Sequence, residues 1–237
     1  MTKGFFITAT DTDVGKTVIA AAVVRALGFF GHRAGAMKPV ETGCVREGEM
    51  LVPADGLFLK EIANMDENVS IITPCMYETP LSPYDAGEVE GKVPDLDAVF
   101  RAYRDLGRKY DGLVVEGAGG LYVPILRDYF MADLAREMQL PLIIVARPYL
   151  GTINHTLLTI HYARSQGIEV AGIVLNYTAP PGETLAEERN PKTLTLLTDV
   201  PVIGVFPYLP VVEVEAIDKA VDKSFDLGIL KRSMERS

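Results

Sequence analysis

"TATDTDVGKTVIAAAVV", residues 8–24, joins an apolar run rich in β-branched residues to a run with helical character. Gly15, Lys16 and Thr17 stand at the junction. Backbone amides at a strand-to-helix turn and the positive end of the helix dipole both favour a phosphate. The general phosphate-loop pattern G-x-x-x-x-G-K-[ST] would place glycine at position 10, where this chain has Thr10. The stretch is therefore either a nucleotide site with an unusual mouth or a plain βα turn that spells GKT. The strand before it and the helix after it favour the nucleotide site.

The same alternation runs through the chain. "GFFITA" (4–9), "AGAMKPV" (34–40), "GLVVEG" (112–117), "PLIIVA" (141–146), "VAGIVLN" (170–176) and "PVIGVF" (201–206) read as strands. Most are apolar on both faces, as strands of a parallel sheet covered by helices must be. Helices are expected at 16–30, 54–64, 95–109, 131–138, 152–166 and 190–198. The Pro-rich stretch between 64 and 94 is too long for a turn and reads as a substrate-facing excursion or a surface loop. No repeat or linker divides the sequence, so one α/β domain over residues 1–237 is expected, with 211–237 as a helical tail.

Composition narrows the function. The chain has 237 residues, 48% of them hydrophobic, enough for a large core, and a formal net charge of -9. That charge, with no run of Lys or Arg, argues against nucleic acid and anionic lipid as partners. Cys44 and Cys75 form neither a disulfide framework nor a zinc array, which fits a reducing cytoplasm. The apolar stretch 18–30 is broken by Arg25 and too short to span a bilayer. His32, His155 and His161 read as non-catalytic.

Candidate chemistry gathers at strand ends. Glu116 closes "GLVVE" before a turn containing Gly117, Ala118, Gly119 and Gly120, where a backbone can approach a ligand closely. Alone, an acid there is more often a solvated strand end. Lys38 ends the second strand, Asp55 opens a helix and Asn176 ends another strand. Singly these read as a solvated end, an N-cap and a turn former. Together they bring a cation, carboxylates and an amide to the carboxyl edge of an open sheet, where ligands collect, and phosphoryl transfer requires such a set.

"TDTDVGKT" (10–17), "MKPVETG" (37–43), "VEGAGGLYVPI" (115–125), "LGTINHTLLTI" (150–160) and "GIVLN" (172–176), in that order, resemble the dethiobiotin synthetases, from the first strand to about Leu209. The resemblance implies a phosphate-binding-loop NTPase fold. In that family the loop is one residue longer, G-x5-G-K-T, which moves its first glycine to position 9. Here that residue is Ala9, which costs about 1 to 2 kcal/mol if the backbone needs a positive φ and almost nothing otherwise. Asp13, where the family more often has glutamate, and "SPYDAG" (82–87), where a histidine usually follows Ser-Pro, are further departures on the substrate side.

The implied reaction closes a ureido ring on 7,8-diaminononanoate with CO2 and ATP, through a carbamate and a carbamic-phosphoric anhydride. Lys16 and Lys38 match the catalytic lysines. Thr17, Asp55 and Glu116 match the ligands of Mg2+. Val14, Gly15, Val18, Gly117, Ala118 and Gly119 border the nucleotide, with Asn176, Pro207, Tyr208 and Leu209 around the base. Asp13, Thr42 and Gly119 contact the diamine or carbamate. Leu150, Gly151, Thr152, Ile153 and Asn154, at a helix N-terminus, meet the substrate carboxylate from the neighbouring subunit, which implies a homodimer with shared sites.

Two rival readings share this broad fold. Partner-regulated partitioning ATPases carry an extra lysine near the start of the loop, where this chain has Thr10 and Asp11. The amidating synthetases of cobalamin synthesis need a glutaminase, for which no Cys/His nucleophile is evident.

Overall fold

The computed structural model describes residues 2–236. Strand β1 (Gly4–Ala9) runs through the GKT turn into α1 (Lys16–Phe29), and β2 (Ala34–Met37) follows. Next come β3 (Val40–Thr42), a hairpin of β4 (Val45–Glu47) and β5 (Met50–Val52), then α2 (Ala54–Ile62) and α3 (Val69–Ile72). The Pro-rich excursion is ordered into α3, β6 (Cys75–Tyr77) and α4 (Pro83–Glu90) rather than loop, and α5 (Leu96–Lys109) returns the chain to β7 (Gly112–Glu116). A second hairpin, β8 (Pro124–Leu126) and β9 (Tyr129–Phe130), leads to α6 (Met131–Met138) and β10 (Leu142–Ala146). The chain finishes through α7 (Thr152–Ser165), β11 (Val170–Asn176), α8 (Leu185–Leu197), β12 (Val202–Phe206), α9 (Val214–Ser224) and α10 (Leu227–Arg236).

The six expected strands form one parallel sheet in the order β12-β11-β10-β1-β7-β2. From β1 the chain passes over a vacant place to β2, returns to fill it with β7, then crosses β1 to β10. Connections therefore part on either side of β1, and a crevice opens beyond its carboxyl end. β1, β7 and β10 are buried at every position, because helices cover both faces. A second, smaller core, built on Ile144, Ile173 and Leu194, fills the layer under α7 and α8.

Two boundaries differ from the sequence pattern. The strand expected over 34–40 stops at Met37, because Pro39 has no amide for the ladder and the Lys38 amide turns to Ile72 O at 2.9 Å. Val40 then starts β3, which pairs with β6. The helix expected at 190 begins at Leu185, where Thr184 and Glu187 form a reciprocal capping box, and it carries Pro191 inside.

The last two helices bury Ile217, Val221, Leu230 and Met234 against the core. Arg25 of α1 grips Asp218 of α9 through two bonds of 2.7 Å. Between α9 and α10, Phe225 makes an antiparallel bridge to Gly204, and the Asp226 amide donates to Ile203 O at 2.7 Å. This covers the outer edge of β12. Gly204 makes the approach possible, since a Cβ there would lie 2.0 Å from Ser224 O. Among the described residues, no helix is long and apolar enough to cross a membrane.

Candidate active site

The loop after β1 is tied at its start by the Thr10 amide to Val145 O at 3.0 Å and at its middle by Arg147 Nη2 to Thr12 O at 2.8 Å. It turns into α1 through Asp13, with φ of 55°, and Gly15, with φ of 83°. Gly15 is required twice over: its φ is left-handed, and a Cβ would sit 2.2 Å from Asn176 Nδ2. No side chain caps α1 and no acidic residue occupies its first turn, so its leading amides remain available to an anion. Ala9 is a regular strand residue outside the positive-φ set, so the missing glycine carries no backbone strain.

A cavity of about 700 Å3 opens in front of this turn. Lys16, Thr17, Lys38, Asp55 and Glu116 converge in it. Lys38 is not a solvated strand end: it is 4% exposed, and its Nζ donates to Glu116 Oε1 at 2.5 Å and to Asp55 Oδ2 at 2.9 Å. Glu116 is 1% exposed, and its Oε1 also accepts from Thr17 Oγ1 at 3.0 Å. Its Oε2 is buried without a partner among the described residues. Asp55 is not an N-cap either. It lies in the first turn of α2, whose N-cap is Pro53.

The charges compensate one another. Burial pulls the Lys38 pKa down, but Glu116 and Asp55 together outweigh it and hold the ammonium above its ordinary value. Burial, with Asp55 assisting, raises the Glu116 carboxyl against the pull of Lys38. Lys16 is lowered by burial and by the charge of Lys38. Bringing phosphates to Lys16 would supply the counter-charge it lacks.

The residues fit a hard cation that retains water and phosphate ligands. Thr17 Oγ1, Asp55 and Glu116 are all oxygen donors, and the orphaned Glu116 Oε2 faces no competitor. No group of three or more His, Cys, Asp and Glu residues gathers as a metal cage among the described residues.

The remaining expected residues divide by location. Asp13, Gly15, Thr42, Ala118 and Gly119 line the cavity, together with Thr12, Glu41, Pro80, Leu81, Ser82, Pro83 and Val123. The Val14 side chain is fully buried, so only its backbone faces the loop. Gly117 packs under Phe6, and Val18 lies against the core. Asn176, 2% exposed, donates from Nδ2 to Val14 O at 2.8 Å and leaves Oδ1 without a partner among the described residues. Its register partner is Phe206, so the chain leaves β12 through Pro207, Tyr208 and Leu209 at the same end of the sheet. Leu150, Gly151, Thr152, Ile153 and Asn154 do not line the cavity. They form the start of α7, with Gly151 as N-cap at φ of 95° and Leu150 92% exposed, while Thr152 is buried and Ile153 packs against the second core.

Sequence patterns passed over Glu41. Its partners, the amides of Asp55 and Gly56, lie on another element, and no local spacing signals them.

The parallel sheet, the phosphate-binding turn and the lysine–carboxylate cluster define a P-loop ATP-dependent enzyme. A model of the AAA domain family matches residues 3–216. In fold, the chain is similar to the septum site-determining protein MinD of Pyrococcus horikoshii, at TM-score 0.54, 17% identity, and coverage of 100% of this chain and 96% of that one. A ParA family ATPase of Chlorobium tepidum gives TM-score 0.53 at 13% identity, with coverage of 100% and 96%. The sequence goes further. It is 43% identical to an ATP-dependent dethiobiotin synthetase of Thermodesulfovibrio yellowstonii, covering 97% of this chain and 99% of that one. It is 39% identical to the Bacillus subtilis (strain 168) enzyme of the same name, covering 96% and 97%. The chain belongs to the dethiobiotin synthetase family and is an ATP-dependent ligase of biotin biosynthesis.

Proposed function

We propose that the protein closes the ureido ring of dethiobiotin on 7,8-diaminononanoate, using CO2 and ATP. One amine attacks CO2 and loses a proton, giving a carbamate. A carbamate oxygen displaces ADP from the γ-phosphorus, and the second amine then attacks the activated carbonyl, expelling phosphate and losing a proton.

The observation that carries this reading is the buried Lys38 ammonium, held between two carboxylates at the mouth of the GKT turn and facing the cavity. There it neutralises charge on the carbamate and on the phosphoryl group in transfer. Lys16 and the leading amides of α1 hold the β- and γ-phosphates. Thr17, Asp55 and Glu116 would hold Mg2+, which would supply charge neutralisation to the phosphates. Asn176 keeps Oδ1 free to accept from the adenine amino group, beside the wall of Pro207, Tyr208 and Leu209. Asp13 and Thr42 orient the diamine.

The substrate carboxylate meets the start of α7 from a second copy, in a homodimer with shared sites. Among the described residues no side chain caps that helix start, and its residues do not line the cavity of their own chain. The enzyme works in the cytoplasm, where Cys44 and Cys75, both buried, stay as thiols.

The test incubates the protein with 7,8-diaminononanoate, bicarbonate, magnesium and ATP and follows products by mass spectrometry. A product heavier than the diamine by CO2 less water, formed with equimolar ADP, is expected. ATP consumption without that product would overturn the reading.

A further inference from the structure

We infer that Glu41 is a positioning residue for the cation site: its carboxylate caps α2 from a neighbouring strand and so fixes Asp55 in the direction the site requires. The inference rests on the reading of Asp55 as a magnesium ligand.

The first amides of a helix have no partners within it, and the N-cap of α2 is Pro53, which offers no side-chain acceptor. Glu41, on β3, reaches across to supply both. Its Oε1 accepts from the Asp55 amide at 3.0 Å and its Oε2 from the Gly56 amide at 2.9 Å. A carboxylate at a helix N-terminus is favoured by the dipole, and charge-assisted bonds are short and directional. The space around the turn is closed. A Cβ at residue 56 would lie 2.0 Å from Thr73 Oγ1, so glycine is what lets α2 start against Thr73, with the Glu41 carboxylate at ordinary contact distance beside it.

The consequence falls on Asp55. Its side chain is 40% exposed and would otherwise sample several rotamers, yet its Oδ2 meets the buried Lys38 Nζ at 2.9 Å. With the Asp55 amide anchored, the carboxylate leaves the helix from a fixed backbone. β3 also carries Thr42, so the strand that faces the diamine is tied to the turn that faces the cation. Glu41 is 6% exposed, and burial pushes its carboxyl up to about 7 against the two amides that hold it down.

The experiment compares Glu41→Gln, Glu41→Asp and Glu116→Gln with wild type. Electron paramagnetic resonance measures free Mn2+ during titration into ADP-saturated protein, and amide hydrogen exchange is followed at residues 55–57 without metal. Gln presents one acceptor and turns an amino group toward a backbone donor. Asp is one methylene short and cannot bridge both amides. Mn2+ affinity should fall about tenfold in Glu41→Gln, the usual size for loss of a ligand-orienting partner. Exchange at residues 55 and 56 should quicken, while ADP affinity without cation holds, and Glu41→Asp should fall between. Wild-type Mn2+ affinity in Glu41→Gln beside weakened affinity in Glu116→Gln overturns the role of Glu41 and leaves the cation site standing. Wild-type affinity in all three variants overturns the cation site as well. Should Glu41→Gln fail to fold by circular dichroism, Glu41→Asp decides: wild-type affinity there overturns the inference.

Discussion

Lys38 holds two carboxylates at once, and the cost of that arrangement governs what its removal does. Leaving a buried charge without its partner typically costs about 3–5 kcal/mol, unless the remaining group takes a proton. In Lys38→Met, Glu116 would lose its nearest counter-charge and be driven further toward the neutral acid by burial. Turnover in a steady-state assay should drop about 100-fold or more, the scale of losing one preorganised charge at a reacting centre. ATP affinity by calorimetry should change only a few-fold, because Lys16 and the α1 amides remain. Unchanged turnover would refute the role. Position 9 teaches the complementary lesson. The alanine that departs from the family's loop lies in ordinary strand geometry, and the left-handed turns fall at Asp13 and Gly15 instead.

The segment that leads into α7 is not self-supporting. Asn190 of α8 donates from Nδ2 to Pro148 O at 2.8 Å and to Tyr149 O at 3.0 Å, pinning it from the side of the helix that follows β11. In Asn190→Ala the Pro148 carbonyl loses its side-chain donor, at about 1–3 kcal/mol for a buried group left unpaired, while Tyr149 O keeps the Thr152 amide at 3.3 Å. The KM for 7,8-diaminononanoate should rise severalfold while the KM for ATP stays near wild type. Equal rises in both would show that Asn190 serves the fold in general. Long-range contacts of this kind also mark where the sequence stopped being informative. The six sheet strands could be read from it because burial on both faces leaves unbroken apolar runs. The GKT turn, Glu116 and Lys38 were readable as candidates because each adjoins such a run. Glu41 and Asn190 were not, since their partners are carbonyls and amides on distant elements. The start of α8 was missed for another reason: its Thr184 and Glu187 cap lies before the stretch whose periodicity suggested a helix.

The C-terminal helices complete the core. Leu230 is fully buried, and Met234 reaches to within 3.1 Å of the Cβ position of Gly112, in the sheet. Leu230→Ala should therefore cost about 2–5 kcal/mol and lower the calorimetric Tm by roughly 5–15 °C, with turnover per folded molecule retained. A shift under about 1 °C would mean that α10 contributes little to the folded state. The crossing of Phe225 and Asp226 over β12 has a different consequence. An open outer strand is a template on which another chain can add backbone to backbone, and here the protein's own tail already occupies that edge at Ile203 and Gly204. A second chain seeking backbone pairing at the middle of this flank meets positions already taken, so the fold carries its own guard against edge-to-edge growth there.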